Sequence, residues 1–259
     1  MVLDFKKLTK YCISLKRSKD RRVHALREFT KAGMRVHFFD AIDRNDVALP
    51  ELSPKTDNKF NALGAYACMM SHLILMKMAL ENKEDAIVVF EDDVIICEDF
   101  NARIRYIERS GVDFDMFLLG GHFDSVMRGT LVGAAEGTEY NHIYNVRNMG
   151  GTYGYIITKK VMEFCIRNLY YGYGIDQFFS VVVYKRFRAF SFVPFLVGCR
   201  PCVSEITGAF WKYDAIDYYY QQEAIIDIEA EYNNPTETEE KKNKIKLDQD
   251  RAKWLAENP

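Results

Sequence analysis

The sequence has no excess of charge of one sign. Its 35 Lys and Arg stand against 37 Asp and Glu, for a formal net charge of −2. That offers no global basic surface for nucleic acid, so no nucleic-acid partner is expected. Apolar runs fall far short of the roughly 20 residues that cross a bilayer, which argues against a transmembrane helix. Met1 to Lys10 is too polar for a signal peptide. There is no internal repeat, no G-x-x-x-x-G-K-S/T phosphate loop and no second dense Asp/His cluster. P-loop chemistry and a two-metal hydrolase are thereby disfavoured. Only one C-x-x-C pair occurs, Cys199 and Cys202, among six cysteines. One pair cannot close a four-ligand zinc site by itself. Five of the six lie in or beside apolar runs, as buried thiols do, with a redox pair as the alternative for Cys199 and Cys202. A reducing compartment follows, and the chain is expected in the cytoplasm.

What is present suits one large α/β domain. Hydrophobic residues make up 48% and charged residues 28% of 259, which is enough apolar material for a sizeable core. Apolar runs at 11–15, 36–39, 86–90, 94–97, 114–119, 142–146, 153–158 and 189–197 read as strands. Helical spacing covers 22–32, 63–80, 101–109, 159–168 and 176–183. Strands alternating with helices predict an α/β fold with a partly parallel sheet. Gly33 is placed as a helix stop, and Gly120-Gly121 as the end of a strand. Residues 122–142 read as a loop or short hairpin. From residue 223 the composition turns to Glu, Lys, Asn and Asp. The division expected is a catalytic domain over 1–222 and a charged helical tail over 223–259. Trp254 in that tail, and the tyrosines 170–171 and 218–220, are where a peripheral membrane or sugar contact would fall, with ordinary packing as the alternative.

The most informative feature is the strand Ala86 to Phe90, which stops at Glu91-Asp92-Asp93. Ligands of open α/β sheets bind beyond the carboxyl ends of strands. Adjacent carboxylates repel one another and lose hydration on burial, and a divalent cation relieves both costs. Oxygen ligands suit Mg²⁺ or Mn²⁺. A solvated acidic turn is the alternative, but apolar chain flanks the triplet on both sides, which a surface turn does not require.

Four blocks, in order, resemble glycosyltransferase family 25, the lipooligosaccharide and collagen galactosyltransferase group. They are Ile13-Ser14-Leu15-Lys16-Arg17 with Asp20-Arg21-Arg22; Leu63-Gly64 through Cys68 with Ser71-His72-Leu73; Val88-Val89-Phe90-Glu91-Asp92-Asp93-Val94; and Gly151-Thr152-Tyr153-Gly154-Tyr155-Ile156-Ile157 with Ile175-Asp176-Gln177. Together they span roughly residues 11 to 206. The resemblance implies a GT-A fold with a Rossmann-like, mostly parallel sheet, a UDP-sugar donor, a hydroxyl acceptor such as a glycan, Mn²⁺ or Mg²⁺, and inversion at the anomeric carbon. It implies Glu91 and Asp93 at the metal and Asp92 facing the donor ribose or sugar. Asp176 is the implied base, with an N-cap as its alternative role, and Glu205 is the reserve.

On the donor side the resemblance implies Ser14, Leu15, Arg17, Ser71, His72 and Gly120. Asp40 and Ala41 are the candidates for uridine, although a loop-initiating Asp is an equal account of Asp40. A buried, hydrogen-bonded core histidine is the alternative for His72. Arg17, Arg21 and Arg22 could pair with the diphosphate or lie solvated at a helix start, with Arg17 expected near the site and Arg22 at the surface; His122 could line the donor pocket, with a satisfied loop histidine as the alternative. Residues 122–137 are the candidate closing loop. Two departures touch the acceptor side: Ala65 stands where the family often has Glu, and two cysteines separate Pro194 from Ser204-Glu205-Ile206. The rival readings are a metal-dependent nucleotidyltransferase or phosphohydrolase, and a catalytically silent nucleotide-sugar-binding module.

Overall fold

The computed structural model describes residues 1–48, 59–122, 131–134, 143–168, 174–206, 208 and 210–211. Most of the 122–142 segment, the turn at 172–173, the tyrosines 170–171 and 218–220, and the 223–259 tail with Trp254 lie outside the described residues.

The chain opens with β1 (Thr9–Leu15), α1 (Lys19–Lys31) and β2 (His37–Ala41), and continues with α2 (Lys59–Glu81) and β3 (Ala86–Glu91). Then come β4 (Val94–Ile96), α3 (Phe100–Ser110), β5 (Met116–His122), β6 (Leu131–Ala134), β7 (Ile143–Val146), β8 (Gly150–Thr158) and α4 (Lys159–Arg167). A continuous helical run follows: α5 (Ile175–Phe178), a π-helical stretch (Phe179–Val183) and α6 (Tyr184–Arg186). Strands β9 (Ala189–Phe192), β10 (Val197–Cys199), β11 (Cys202–Val203) and β12 (Phe210–Trp211) complete the described elements.

The main sheet has the order β2-β1-β3-β8-β5-β9-β7-β6. Pairing is parallel for β1–β2, β1–β3 and β5–β9, and antiparallel for β3–β8, β5–β8, β7–β9 and β6–β7. Six of the eight strands therefore run one way, and β7 and β8 run against them. Strand β3 is buried on both faces, with Ile87, Val88, Val89 and Phe90 fully covered, as expected of a sheet with packing on each side. The fold is the α/β class expected from the alternating pattern.

Several boundaries differ from expectation, each for a local reason. Strand β5 does not end at Gly120-Gly121 but runs to His122, because β8 continues to supply partners at Gly154 and Gly150. Gly120 is required by packing: a Cβ there would lie 1.8 Å from the Val197 carbonyl oxygen on β10. The run 189–197 is two strands, interrupted at the cis Val193-Pro194 bond, and the second of them pairs with β4 instead of the main sheet. Gly33 has φ +65, in keeping with its place just past α1. Helix α2 overturns the statement that no apolar segment reaches membrane length. Ala62–Glu81 is 20 residues long with mean hydropathy 1.4, and half of that window is buried within the fold. It packs against β2, α4 and α5, which accounts for apolar residues around its circumference.

Replacing Gly120 with Ala is expected to lower stability by about 1–3 kcal/mol, because backbone rather than a flexible side chain blocks the new methyl. Urea unfolding checks this, and an unchanged midpoint would mean that β10 does not press on β5 as described.

Candidate functional site

Strands β1, β2 and β3 end on one side of the sheet, and β8, running the other way, begins there. The parallel register sets Ile13 beside Glu91 and Leu15 beside Ala41. Asp92 and Asp93 form a turn between β3 and β4, and Asp93 is held from outside by the Arg200 N–H, which donates to its carbonyl (2.8 Å). Apolar chain on both sides of the triplet has its explanation here: β3 lies in the main sheet, and β4 leaves it to pair with β10.

These strand ends, together with α2 and α5, border a cleft of about 500 Å³. Such a volume is ordinary for a small-molecule site. Of the residues expected at the site, Ser14, Leu15, Arg17, Ala41, Ser71, His72, Glu91, Asp92, Asp93, Asp176 and Glu205 line it. Asp40 and Gly120 do not. Side chains alternate along a strand, so with Ala41 facing the cleft Asp40 faces away. Asp40 pairs with Arg22 (2.5 Å) beside a separate shallow groove. Arg22 is partly buried rather than a surface residue, and it also donates to the Ser14 carbonyl (2.7 Å). The side chain of His122 is outside the described residues.

Two members of the acidic triplet, Asp92 and Asp93, are held by Arg21, which sequence reasoning does not single out from its neighbours Arg17 and Arg22. The Arg21 Nε donates to Asp92 Oδ1 (2.6 Å) and its Nη2 to Asp93 Oδ2 (2.8 Å). All three groups are buried. Burial opposes charge on Arg21, but Asp93 and Asp92 outweigh it and raise the guanidinium's pKa further. Burial also raises the Asp92 carboxyl, while Arg21 and Ser14 oppose that shift. Ser14 Oγ donates to Asp92 Oδ2 (2.6 Å), so both oxygens of Asp92 already accept hydrogen bonds. Asp92 is thus built into the framework of the turn while also lining the cleft. Asp93 keeps Oδ1 buried without a hydrogen-bond partner.

Glu91 stands apart from Arg21. Thr152 on β8 donates to its Oε1. Burial, then the charges of Asp93, Asp92 and Asp176, push its carboxyl up to about 8. Asp176 lies across the adjacent backbone, where Gly151 N–H donates to Oδ2 (3.3 Å) and Gln177 N–H to Oδ1 (2.8 Å). The neighbours Gly151 and Thr152 therefore bridge the two carboxylates. Asp176 is not an N-cap, since Gly174 holds that position. No cation pairs with Asp176 among the described residues. Glu205 is paired: Arg17 donates to Oε2 (3.0 Å) and Ser18 to Oε1 (3.1 Å), and Arg17 also holds Asp43 (2.6 Å).

On α2, Ser71 Oγ donates to the Ala67 carbonyl (2.7 Å) and accepts from Ile42 N–H (2.9 Å), tying the helix to the chain after β2. His72 is fully buried, with Nδ1 2.7 Å from Tyr155 Oη. Burial pushes its imidazole down to about 3, so it is neutral. Cys202 Sγ lies 3.6 Å from Asp93 Oδ2 and from Arg21 Nη1.

The family model for glycosyltransferase family 25 (LPS biosynthesis protein) matches residues 7–179. A lacto-N-neotetraose biosynthesis glycosyltransferase, LgtB, of Neisseria meningitidis serogroup B is 30% identical over 164 residues, covering 60% of this chain and 59% of that one. A putative glycosyltransferase of Haemophilus influenzae is 35% identical over 100 residues, 34% of this chain and 33% of that one. The chain thus matches a third to three-fifths of the length of these relatives. Among solved structures, a glycosyltransferase involved in glycosylation of the major capsid of PBCV-1 matches with TM-score 0.35 and 12% identity, over 72% of this chain and 82% of that one.

Two outcomes follow from the charge arrangement. Arg21→Leu leaves two buried carboxylates uncompensated and is expected to cost about 3–5 kcal/mol in urea unfolding at neutral pH, with the loss shrinking in acid as the carboxylates protonate. A loss below about 1 kcal/mol would deny the fork this role. In EDTA, Glu91 binds its proton more tightly folded than unfolded. Stability should therefore fall as pH rises from its ordinary 4.5 towards about 8. Glu91→Gln should flatten that slope, and an equal slope in both proteins would assign it elsewhere.

Proposed function

The chain belongs to glycosyltransferase family 25, and from that premise we infer that it moves a hexose, galactose or glucose, from a UDP-sugar to a hydroxyl, with inversion. The acceptor class that fits best is a glycan. The observation that carries the reading is the cleft where Glu91-Asp92-Asp93 and Asp176 converge from separate parts of the chain.

The residues present fit a divalent cation. Asp93 Oδ1 is buried without a partner, and Glu91 sits among like charges that a cation would offset. Glu91 and Asp93 would hold Mn²⁺ or Mg²⁺, which when bound supplies Lewis-acid neutralisation of a leaving diphosphate. The chain's own residues supply the remainder. Arg21 and Ser14 keep the turn rigid, so that its carboxylates need no reorganisation during the reaction. Arg17, half exposed at the cleft margin, is placed to exchange a carboxylate partner for a phosphate, to which a guanidinium fork is suited. Asp176 accepts only backbone N–H groups and has no cation partner among the described residues, which leaves it available as a base. It would take the acceptor's proton as the new C–O bond forms on one face of the anomeric carbon and the bond to the diphosphate breaks on the other. Glu205, engaged by Arg17 and Ser18, is the weaker candidate for base.

Calorimetry with UDP-galactose, UDP-glucose and UDP, in Mn²⁺ and in EDTA, tests the donor claim. Metal-dependent binding that Asp93→Ala abolishes is expected, and no binding to any of the three would sink it. For the base, Asp176→Asn should lower kcat by about a hundred- to ten-thousand-fold. Donor affinity should be unchanged in that variant, and release of pyrophosphate instead of UDP would favour a nucleotidyltransferase.

A further inference from the structure

Helix α2 carries two potential metal ligands one turn apart. Cys68 and His72 are spaced i, i+4, so their side chains share a face of the helix. That face meets the end of β3. One ligand atom from each of Cys68, His72 and Glu91 lies within 4.8 Å of the other two. The His72 Nε2 to Glu91 Oε1 distance is 3.8 Å, too long for a hydrogen bond. His72 is fully buried, and its Nε2 has no hydrogen-bond partner. A buried polar atom left without a partner carries a desolvation cost that a bound cation would remove.

The surroundings have the character of a supporting shell. Tyr155 Oη engages the other ring nitrogen, Nδ1, at 2.7 Å, and Thr152 donates to Glu91. Fixing the far nitrogen orients the ring, and hydrogen bonding a ligating carboxylate orients that carboxylate. Cys68 and Glu91 are only partly buried and, like His72, line the cleft. An ion among them would keep a fourth position open to that cleft.

We propose that Cys68, His72 and Glu91 form a binding site for a thiophilic divalent cation of the Zn²⁺ or Co²⁺ class. Thiolate and imidazole ligands select that class over Mg²⁺ and Mn²⁺, which prefer oxygen. Tetrahedral bonds to sulfur, nitrogen and oxygen set ligand atoms about 3.3–3.8 Å apart, and the His72 Nε2 to Glu91 Oε1 distance of 3.8 Å already falls at the edge of that range. A second group, Asp93, Cys199 and Cys202, has similar spacing. Arg21 donates to Asp93 Oδ2 and lies 3.6 Å from Cys202 Sγ, so two members of that group are already engaged, whereas His72 Nε2 has no partner. The site shares Glu91 with the oxygen-ligated pair described above but does not rest on sugar transfer, and it is read without any donor.

Co²⁺ titrated into the full chain, kept reduced with a phosphine, should give a thiolate-to-metal absorption at one equivalent that Zn²⁺ abolishes. Cys68→Ser should remove the band, His72→Gln should weaken Co²⁺ binding by more than the roughly ten- to hundredfold that loss of a ligand's supporting partner costs, and Cys202→Ser should leave both intact. X-ray absorption at the zinc edge of the unmutated protein should count one sulfur, and this reading stands whether or not the variants fold. No thiolate band would overturn the proposal. So would two sulfurs at zinc, or a band lost in Cys202→Ser and kept in Cys68→Ser.

Discussion

The guanidinium of Arg21 sets the terms for the rest of the cleft. Two carboxylates on adjacent residues, both buried, would repel each other and drive the β3–β4 turn towards water. One planar fork reaching both removes that tendency without a bound ligand. It also couples two parts of the chain, because Arg21 is on α1 and its partners lie at the end of β3. The seating of α1 on the sheet and the shape of the acidic turn are therefore one structural fact. The buried fork is better evidence for rigidity than for net stability, since desolvating three charges offsets much of their attraction.

Strand β8 makes the other contribution. In an all-parallel sheet every strand would end at the cleft and none would begin there. Because β8 runs against β3 and β5, its first residues arrive where the others finish. Thr152 then reaches Glu91, and the Gly151 N–H reaches Asp176. Two carboxylates from distant parts of the sequence are thereby set on either side of one dipeptide. Their spacing depends on the rigid, fully covered β8 rather than on a loop.

Some of this is legible in the sequence. Carboxylates bounded on both sides by Val, Ile and Phe demand a reason, and the reason is a turn between two buried strands. Choosing Arg21 over Arg17 and Arg22 was beyond sequence reasoning. All three lie at or near the first turn of α1, and which of them faces the turn depends on how the helix docks. Asp40 and Ala41 show the same limit on a strand: neighbours point to opposite sides, and only the pairing of β2 with β1 tells which side is the cleft. Gly120 was misread because a glycine after an apolar run resembles a strand end. The need for glycine there comes from β10, whose approach is a tertiary event. Helix α2 reads as buried by composition, but the orphan Nε2 of His72 appears only when Tyr155 is seen to occupy the other nitrogen.

The balance of charge in the cleft carries one further consequence. Arg21 is committed to Asp92 and Asp93, Arg17 to Asp43 and Glu205, and Arg44 donates to the Ile206 carbonyl (3.1 Å). Glu91 and Asp176 have no such cation partner among the described residues. The lining is therefore poor in uncommitted positive charge, and a diphosphate entering it would meet carboxylates before cations. Binding such a ligand requires either new positive charge or a changed pairing within the cleft. Arg17 is the cation best placed to change partners, because it is half exposed and surface ion pairs are worth little. Arg21 is the one least able to, because releasing it would strand two buried carboxylates. The two arginines, four residues apart on the chain, thus differ in their setting: Arg21 is buried between two buried carboxylates, and Arg17 is half exposed between Asp43 and Glu205.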